Sequence, residues 1–370
     1  MSVRHPAFVV PDTMLSTIKE SGGRIMGLFS RRGFYISDKG IDVVEKLRLG
    51  EIDQSVLIQG DDITKPILLF VHGGPCMPVP GVVSRGQDYA VSISTKELVK
   101  HFVVVFWDQR GAGKTYDKNT PKESFRIEQY ISDCQELIDS LRSRFKQEKV
   151  YLAGNSWGTI IGLSIASRNP EKLHAYIGIS QIINWQENDI ICFDWLKHQA
   201  EKANDRKTLK KLEELGRPPY LLLKQWTDFR RPLIKYNSMV YESETVKNPG
   251  MLGALKIFLN SREYSMIDIL HTLYSSYKLT YTQELIEDFA EINFKTVKRI
   301  ETPLAFLHGT KDVHVDGRPV QQYFKELDAP FGKEIVWYEK SSHMFHPDDT
   351  KMIENFIINY AKKHSQLLVV

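Results

Sequence analysis

Three side chains that could form a serine nucleophile with its acid and base occur along the chain in the order Ser156, Asp312 and His343. Ser156 lies in the run GNSWG, residues 154–158, directly after the apolar segment VYLA. A serine hydroxyl is a weak nucleophile until a base removes its proton and an oriented acid stabilises that base. Glycines two residues before and after the serine permit the tight strand-to-helix turn of a nucleophile elbow. The motif alone also fits an ordinary turn in which the serine caps a helix.

The candidate acid and base each follow an apolar run that predicts a buried strand. Asp312 comes after LAFLHG, and His343 comes after EIVWYEK. Both are therefore expected at the carboxyl ends of parallel strands, where open α/β sheets bind ligands. His346 fits a helix entry better, and His308 and His314 would break the layout in which each residue follows its own strand. Asp312 also fits a turn position, so the prediction depends on the three residues together.

An oxyanion hole requires backbone donors close to the serine. One expected donor is the N–H of Trp157, directly after the nucleophile. The run FVHGGPC, residues 70–76, ends an early strand with two glycines, and Gly74 is the second predicted donor because glycine lets the backbone turn its N–H inward. A simple Gly-Pro turn is compatible with this role. His72 is expected to support the loop by hydrogen bonding rather than to act as a base.

The elements that must position these residues follow a strand–helix rhythm. Runs such as PILLFVHGG, FVVVFWDQRG and KVYLAGNS are continuously apolar and alternate with segments of helical spacing, which predicts a mostly parallel sheet with helices on both faces. Between residues 182 and 297 only helical stretches are evident. The sequence thus predicts an α/β core domain (residues 41–181 and 298–370), an inserted helical cap or lid (182–297) and an N-terminal extension (1–40). The extension has a short apolar stripe with arginines, which favours packing on the core over lying on a membrane surface.

Composition excludes several classes of protein. With 49 basic and 46 acidic residues, the net charge of +3 is too balanced for a nucleic-acid-binding protein. Cys76, Cys134 and Cys192 are widely spaced, which indicates reduced thiols rather than disulfides or a zinc site. No apolar run is long enough to span a membrane, and the start resembles no secretory signal, so we expect a cytoplasmic protein without stable membrane insertion. No cofactor or metal is predicted, and the oligomeric state is left open.

With these residues assembled, the chain resembles the proline iminopeptidase-like family of α/β-hydrolases. The runs HGGPC (72–76), WDQRGAGKT (107–115) and GNSWG (154–158) carry the resemblance, and Asp312 and His343 fall where that family has its acid and base. The resemblance implies serine-catalysed hydrolysis, without metal or cofactor, that removes N-terminal proline from small peptides. A carboxylesterase or lactonase with the same triad is the main alternative. A catalytically silent ligand-binding protein with the same fold is a second alternative.

The chain departs from the family pattern where substrate would bind. Cys76 and Asn155 stand where the family usually has glycines, and the family's Trp-x-x-Trp-Glu run in the lid is reduced to QWTDF around Trp226 and Asp228. In the family a lid carboxylate helps to hold the free amine of the substrate. The candidate substrate-binding residues are therefore Cys76, Glu187, Asp189, Trp226, Glu242 and Glu244, and nothing in the sequence selects among the four carboxylates.

Overall fold

The computed structural model describes residues 32–366, with side chains through residue 364, and places eight strands of this region in one sheet. The strands are β1 (Ile41–Leu49), β2 (Ile52–Gly60), β3 (Ile67–Val71), β4 (Val103–Asp108), β5 (Val150–Asn155), β6 (Leu173–Ile179), β7 (Leu304–Gly309) and β8 (Lys333–Tyr338). Their order across the sheet is β1-β2-β4-β3-β5-β6-β7-β8. β2 runs antiparallel to β1 and β4, and every other pair is parallel. This is the mostly parallel sheet that the apolar runs predict.

Helices cover both faces of the sheet. In chain order they are α1 (Leu98–His101), α2 (Ile127–Phe145), α3 (Trp157–Arg168), α4 (Trp185–Lys202), α5 (Arg206–Leu215), α6 (Leu223–Lys235), α7 (Gly250–Asn260), α8 (Met266–Leu270), α9 (Ser276–Thr280), α10 (Gln283–Glu291), α11 (Gly317–Glu326) and α12 (Pro347–Gln366). A π-helical turn (His271–Ser275) joins α8 to α9.

The alternation of side chains along the strands divides the core into two layers. Leu69 and Val71 of β3 pack in the layer that contains α2, α3 and α11. Leu68 and Phe70 of the same strand pack in the other layer, with α1 and α12. Because successive strand residues point to opposite faces, a strand that is apolar throughout must be covered twice. The continuous apolar runs are therefore explained by their position between two layers of helices.

Helices α4–α10 form an insert between β6 and β7, and we call this part the helical insert. Its two ends are tied together, since Trp185 N–H donates to Ile292 O at 3.1 Å and Phe294 N–H donates to Ile183 O at 2.7 Å. The sequence indicates helices over other parts of the insert, but it gives no specific signal for α7, α8 and α9. The apolar spacing of residues 219–236 indicates one helix, but in the structure this helix, α6, begins only at Leu223.

The N-terminal extension is described only in part. Residues 1–31, which include the segment predicted to pack on the core, lie outside the described residues. Residues 32–40 lead into β1, and Gly33 N–H donates to Gly86 O at 2.6 Å. No helix within residues 32–366 has the length and apolar character needed to cross a bilayer.

Candidate active site

Ser156 lies on a sharp turn between β5 and α3. Its backbone has φ of 52° and ψ of −119°, a conformation that is rare for a residue with a side chain. Two backbone hydrogen bonds hold the turn: Ser156 N–H donates to Ile179 O at 2.9 Å, and Thr159 N–H donates to Ser156 O at 2.8 Å. The turn leaves the serine side chain partly exposed above the carboxyl ends of the strands.

The flanking glycines are required by close packing. A Cβ atom at Gly154 would lie 2.6 Å from Gly158 O, and one at Gly158 would lie 2.2 Å from Val71 O. Real Cβ atoms do not approach a carbonyl oxygen so closely, so any larger residue would push α3 away from β3. The spacing Gly-x-Ser-x-Gly is thus explained by the contact of a strand, a turn and a helix.

Gly158→Ala is expected to destabilise the protein by about 1–3 kcal/mol, the usual cost of overpacking a filled core. Urea unfolding at equilibrium would measure the change in the free energy of unfolding. Gly33→Ala is a suitable control, because its Cβ would have only an ordinary 3.5 Å contact with Gly86 O. Equal stability of the two variants would show that α3 can shift without cost.

The structure brings the three predicted residues Ser156, Asp312 and His343 together. His343 Nε2 lies 2.9 Å from Ser156 Oγ, and His343 Nδ1 lies 2.9 Å from Asp312 Oδ2. An ionised carboxylate can only accept, so Nδ1 carries the proton and Nε2 is left to accept from the serine hydroxyl. This arrangement can transfer the serine proton to the imidazole during an attack on a carbonyl carbon.

Asp312 is held as a buried carboxylate by several donors. Its Oδ1 accepts from the N–H groups of His314 and Val315, both at 2.9 Å, and its Oδ2 accepts from the hydroxyl of Ser180 at 3.0 Å. Burial by itself would raise the pKa of Asp312, but the neighbouring His343, the nearby His308 and the hydrogen bond from Val315 N–H lower it to about 2. The acid is therefore ionised at any pH near neutrality.

Gly74 and Trp157, the two predicted oxyanion donors, lie close to the serine. Both line the same cavity as Ser156. Trp157 is the first residue of α3, so its N–H has no acceptor within the helix. Gly74 has φ of 124° and a cis bond to Pro75, and its carbonyl accepts from Tyr281 of the insert at 2.6 Å. The insert thus contacts the loop that carries Gly74, one of the two predicted donors.

Gln109, a residue without a predicted role, connects the runs HGGPC and GNSWG by hydrogen bonds. Its Nε2 donates to His72 O, and its Oε1 accepts from Trp157 Nε1, both at 2.9 Å. His72 Nδ1 lies 2.7 Å from Gly73 O and its Nε2 accepts from Gln109 N–H at 3.2 Å. Burial lowers the pKa of His72 to about 4, so this ring is neutral. Its two hydrogen bonds stabilise the loop. The only signal for Gln109 was its place in the run WDQRG.

A cavity of about 160 Å³ adjoins Ser156. The core contributes backbone and side chains around the serine, and the insert contributes a mostly apolar and aromatic wall. The insert residues in this wall include Trp185, Trp226, Arg230, Tyr277, Tyr281 and Phe289. Trp226 stacks on Tyr281, with 4.9 Å between ring centroids. The cavity therefore suits a small substrate with an apolar part.

Of the predicted substrate-binding residues, Cys76 and Trp226 line the cavity. Burial raises the pKa of the Cys76 thiol to about 12, so it contributes a neutral thiol. The four candidate carboxylates do not line the cavity: Glu187 pairs with Lys295 at 2.6 Å, and Glu242 and Glu244 are exposed. Asp189 is buried behind the wall.

Asp189 and Arg230 form a buried pair in the insert. Arg230 Nη2 donates to Asp189 Oδ1, and the guanidinium carbon lies 4.9 Å from the centre of the Trp185 ring. Burial raises the pKa of Asp189 to about 6 in spite of the attraction of Arg230. Asp228, the acidic residue of QWTDF, instead contacts Lys211 and Lys224 at 3.1 and 2.7 Å. Arg230 is thus the charged residue that the insert presents to the cavity.

Arg110 and Asp108, both in the run WDQRG, have structural partners. Arg110 makes a bidentate contact with the buried Asp133, with both bonds at 3.0 Å. Asp108 accepts from the N–H groups of Val82 and Lys114 at 2.8 and 2.9 Å. No group of three His, Cys, Asp or Glu side chains within the described part of the chain is arranged to hold a metal ion.

Comparison with known proteins identifies the family. The model of the serine aminopeptidase S33 family matches residues 78–220, which include Ser156. A Bacillus subtilis protein named probable aminopeptidase YbaC is 30% identical over 330 residues, which cover 88% of this chain and 98% of that protein. The chain belongs to the proline iminopeptidase-like family of α/β-hydrolases. It is accordingly related to hydrolases and aminopeptidases.

Other members of the proline iminopeptidase-like family match in sequence or in fold. The proline iminopeptidase of Elizabethkingia meningoseptica is 24% identical over 206 residues, which cover 50% of this chain and 63% of that enzyme. The solved proline iminopeptidase of Mycobacterium smegmatis superposes with a TM-score of 0.62 at 14% identity, over 88% of this chain and all of that one. The predicted α/β-hydrolase fold is therefore confirmed.

Proposed function

We propose that the protein is a serine hydrolase that works through an acyl-enzyme intermediate, with Ser156 as nucleophile, His343 as base and Asp312 as the orienting acid. The observation that carries this proposal is the continuous chain of two 2.9 Å contacts from Ser156 Oγ through the imidazole to Asp312. Side chains separated by up to 187 residues meet in this geometry.

The mechanism follows from the positions of these groups. Ser156 Oγ attacks the substrate carbonyl carbon while His343 Nε2 takes the hydroxyl proton, and Asp312 stabilises the resulting imidazolium. The N–H groups of Gly74 and Trp157 bind the negative charge that develops on the carbonyl oxygen. His343 then gives its proton to the leaving group, and a water molecule activated by the same imidazole hydrolyses the acyl-enzyme.

As the leading substrate class we propose small peptides from which the N-terminal residue is released. More specifically, we propose that this residue is proline. The names of the related aminopeptidase and proline iminopeptidases support this choice. The apolar, aromatic cavity under the insert also suits a compact ring. We propose further that residues 182–297 act as the cap domain that limits substrate size.

Hydrolysis of small esters or lactones is the second candidate. One observation favours it: among the described residues that line the cavity there is no Asp or Glu to hold a cationic amine. The triad would serve either reaction, because substrate choice depends on the cavity wall. A silent binding protein would have no need for both the triad and the donors at Gly74 and Trp157.

A labelling and substrate panel would test the proposed function. We expect a fluorophosphonate probe to label the protein at Ser156, because the probe reacts with activated serines. Proline arylamides, p-nitrophenyl esters and small lactones should then be compared by kcat/KM. Turnover of the arylamides would support the aminopeptidase, and turnover of esters alone would support the esterase. Absence of both labelling and turnover would refute a serine hydrolase.

A further inference from the structure

The cavity wall presents an arginine, whereas a site that binds a cationic amine requires a carboxylate. Among the described residues that line the cavity, Arg230 is the one with a permanent charge, and its side chain is only 4% exposed. Asp189, its partner, is buried behind the wall and does not line the cavity. The contact with Asp189 offsets much of the charge of Arg230, but a cationic amine would find no carboxylate in the wall, whereas an anionic group would find the N–H donors of the guanidinium.

Two N–H groups in this wall have no hydrogen-bond acceptor within the described structure. They are Nε of Arg230 and Nε1 of Trp226, and both atoms are buried. The guanidinium carbon of Arg230 lies 5.5 Å from the centre of the Trp226 ring, so the two groups are neighbours. Buried donors are almost always paired in folded proteins. Two adjacent unpaired donors therefore indicate that a bound ligand supplies an acceptor.

The other polar groups near Arg230 do not supply that acceptor. Asn188 uses both ends of its amide, since Nδ2 donates to His314 O and Oδ1 accepts from Asp316 N–H. His314 Nδ1 lies 3.2 Å from the hydroxyl of Ser238. Burial, with the charges of His343 and Arg230, holds the pKa of His314 well below its usual value. The ring of His314 is therefore neutral and leaves the charge of Arg230 unchanged.

The position of Arg230 connects the donor pair to the reacting serine. Arg230, His314 and Ser156 line the same cavity, and the His314 ring lies 4.9 Å from that of His343. His343 in turn contacts Ser156. A small molecule could thus place one end at Arg230 and Trp226 and its scissile carbonyl at the serine.

On the basis of the proposed serine-hydrolase function, we propose that the substrate carries a carboxylate that binds to Arg230 and Trp226. Arginine suits this role because its planar N–H donors match the oxygens of a carboxylate. Two sources share this chemistry. One is the free C-terminus of a very short peptide, and the other is the second carboxylate of a dicarboxylic acid monoester.

Paired substrates that differ only in this group would test the proposal. For the ester source we choose p-nitrophenyl hemiglutarate and its methyl-capped form, and for the peptide source we choose Pro-Gly and Pro-Gly amide. We expect kcat/KM to be about 10- to 100-fold higher for the free carboxylate in at least one pair, the range of a charged hydrogen bond. The pair that shows the preference identifies the source.

Variants connect that preference to Arg230. Arg230→Gln should reduce the ratio between free and capped substrate to near one. The double variant Asp189→Asn/Arg230→Gln leaves no unpaired buried carboxylate and should show the same loss if the single variant folds poorly. Arg231→Gln is the matched control, because it removes a charge from the next position of α6. The Arg231 side chain is 37% exposed and does not line the cavity. This variant should keep the wild-type ratio between free and capped substrate.

The possible outcomes separate this proposal from the proposed function. If the wild-type protein hydrolyses the capped substrates as fast as the free ones through a labelled Ser156, the carboxylate proposal is wrong and the serine hydrolase stands. A preference that survives in the double variant would also overturn the role of Arg230. If Ser156 is not labelled and no substrate of either pair is hydrolysed, the proposed function itself fails.

Discussion

Ser156→Ala should lower kcat for ester or amide hydrolysis by about 10⁵- to 10⁶-fold, the loss seen when the nucleophile of a serine triad is removed. Without the hydroxyl no acyl-enzyme can form, and His343 has no proton to accept from the nucleophile. Gly74 and Trp157 would still be able to polarise a carbonyl, so a small residual rate above that of water is expected. Initial rates with p-nitrophenyl butyrate and labelling by a fluorophosphonate would measure the effect.

Ser167→Ala is the matched control for this variant. Ser167 lies on the same helix, α3, and its hydroxyl donates only to Ser164 O at 3.0 Å. The control should keep both kcat and labelling, and the urea midpoints of the two variants should be close to that of the wild-type protein. Labelling that persists in Ser156→Ala would assign the nucleophile to another residue.

Asp312→Asn should lower kcat by about 10⁴-fold with little change of shape. The amide can still accept the N–H groups of His314 and Val315, but it no longer stabilises the imidazolium and can hold His343 in the wrong tautomer. Asp316→Asn is the matched control, because Asp316 caps α11 through Arg318 N–H at 2.9 Å and asparagine caps helices equally well. Steady-state kinetics that show similar kcat for both variants would contradict the role of Asp312.

The pH dependence of kcat/KM gives a second test of the role of Asp312. The pKa of Asp312 is lowered to about 2, so its carboxylate stays ionised as the pH falls through the neutral and mildly acidic range. Protonation of Asp312 should therefore cause no loss of kcat/KM between about pH 5 and 8, because only an ionised carboxylate can stabilise the imidazolium. An NMR signal of the Asp312 carboxyl carbon that shifts within this interval would contradict an ionised acid.

The residues of the core site could be predicted because their positions depend on local rules. A buried parallel strand is recognisable from its apolar run, and its carboxyl end faces the ligand-binding edge. Ser156, Asp312 and His343 each follow such a strand, and the structure places them within hydrogen-bonding distance. Gly154 and Gly158 are explained in the same way, by contacts that any such turn must make.

The insert could not be predicted to the same depth. Of the four candidate carboxylates, Glu187 pairs with a lysine, Glu242 and Glu244 face solvent, and Asp189 is buried behind Arg230. In a parallel sheet, the carboxyl ends of the strands mark the ligand-binding edge, but no such rule tells which residues of a helix face a cavity. Whether a charged residue of a helix faces a cavity depends on how that helix packs against its neighbours, which contacts between distant residues decide.

By itself the sequence determined the fold class, the edge of the sheet where chemistry can occur and the residues expected there. These follow from periodicity and turn composition, which act over a few residues at a time. Only the tertiary structure decided that Gln109 links His72, in the loop before Gly74, to Trp157, and that the cavity wall presents Arg230 rather than a carboxylate. The physical reason is that hydrogen bonds and charges in a closed cavity act between segments that the chain order keeps far apart.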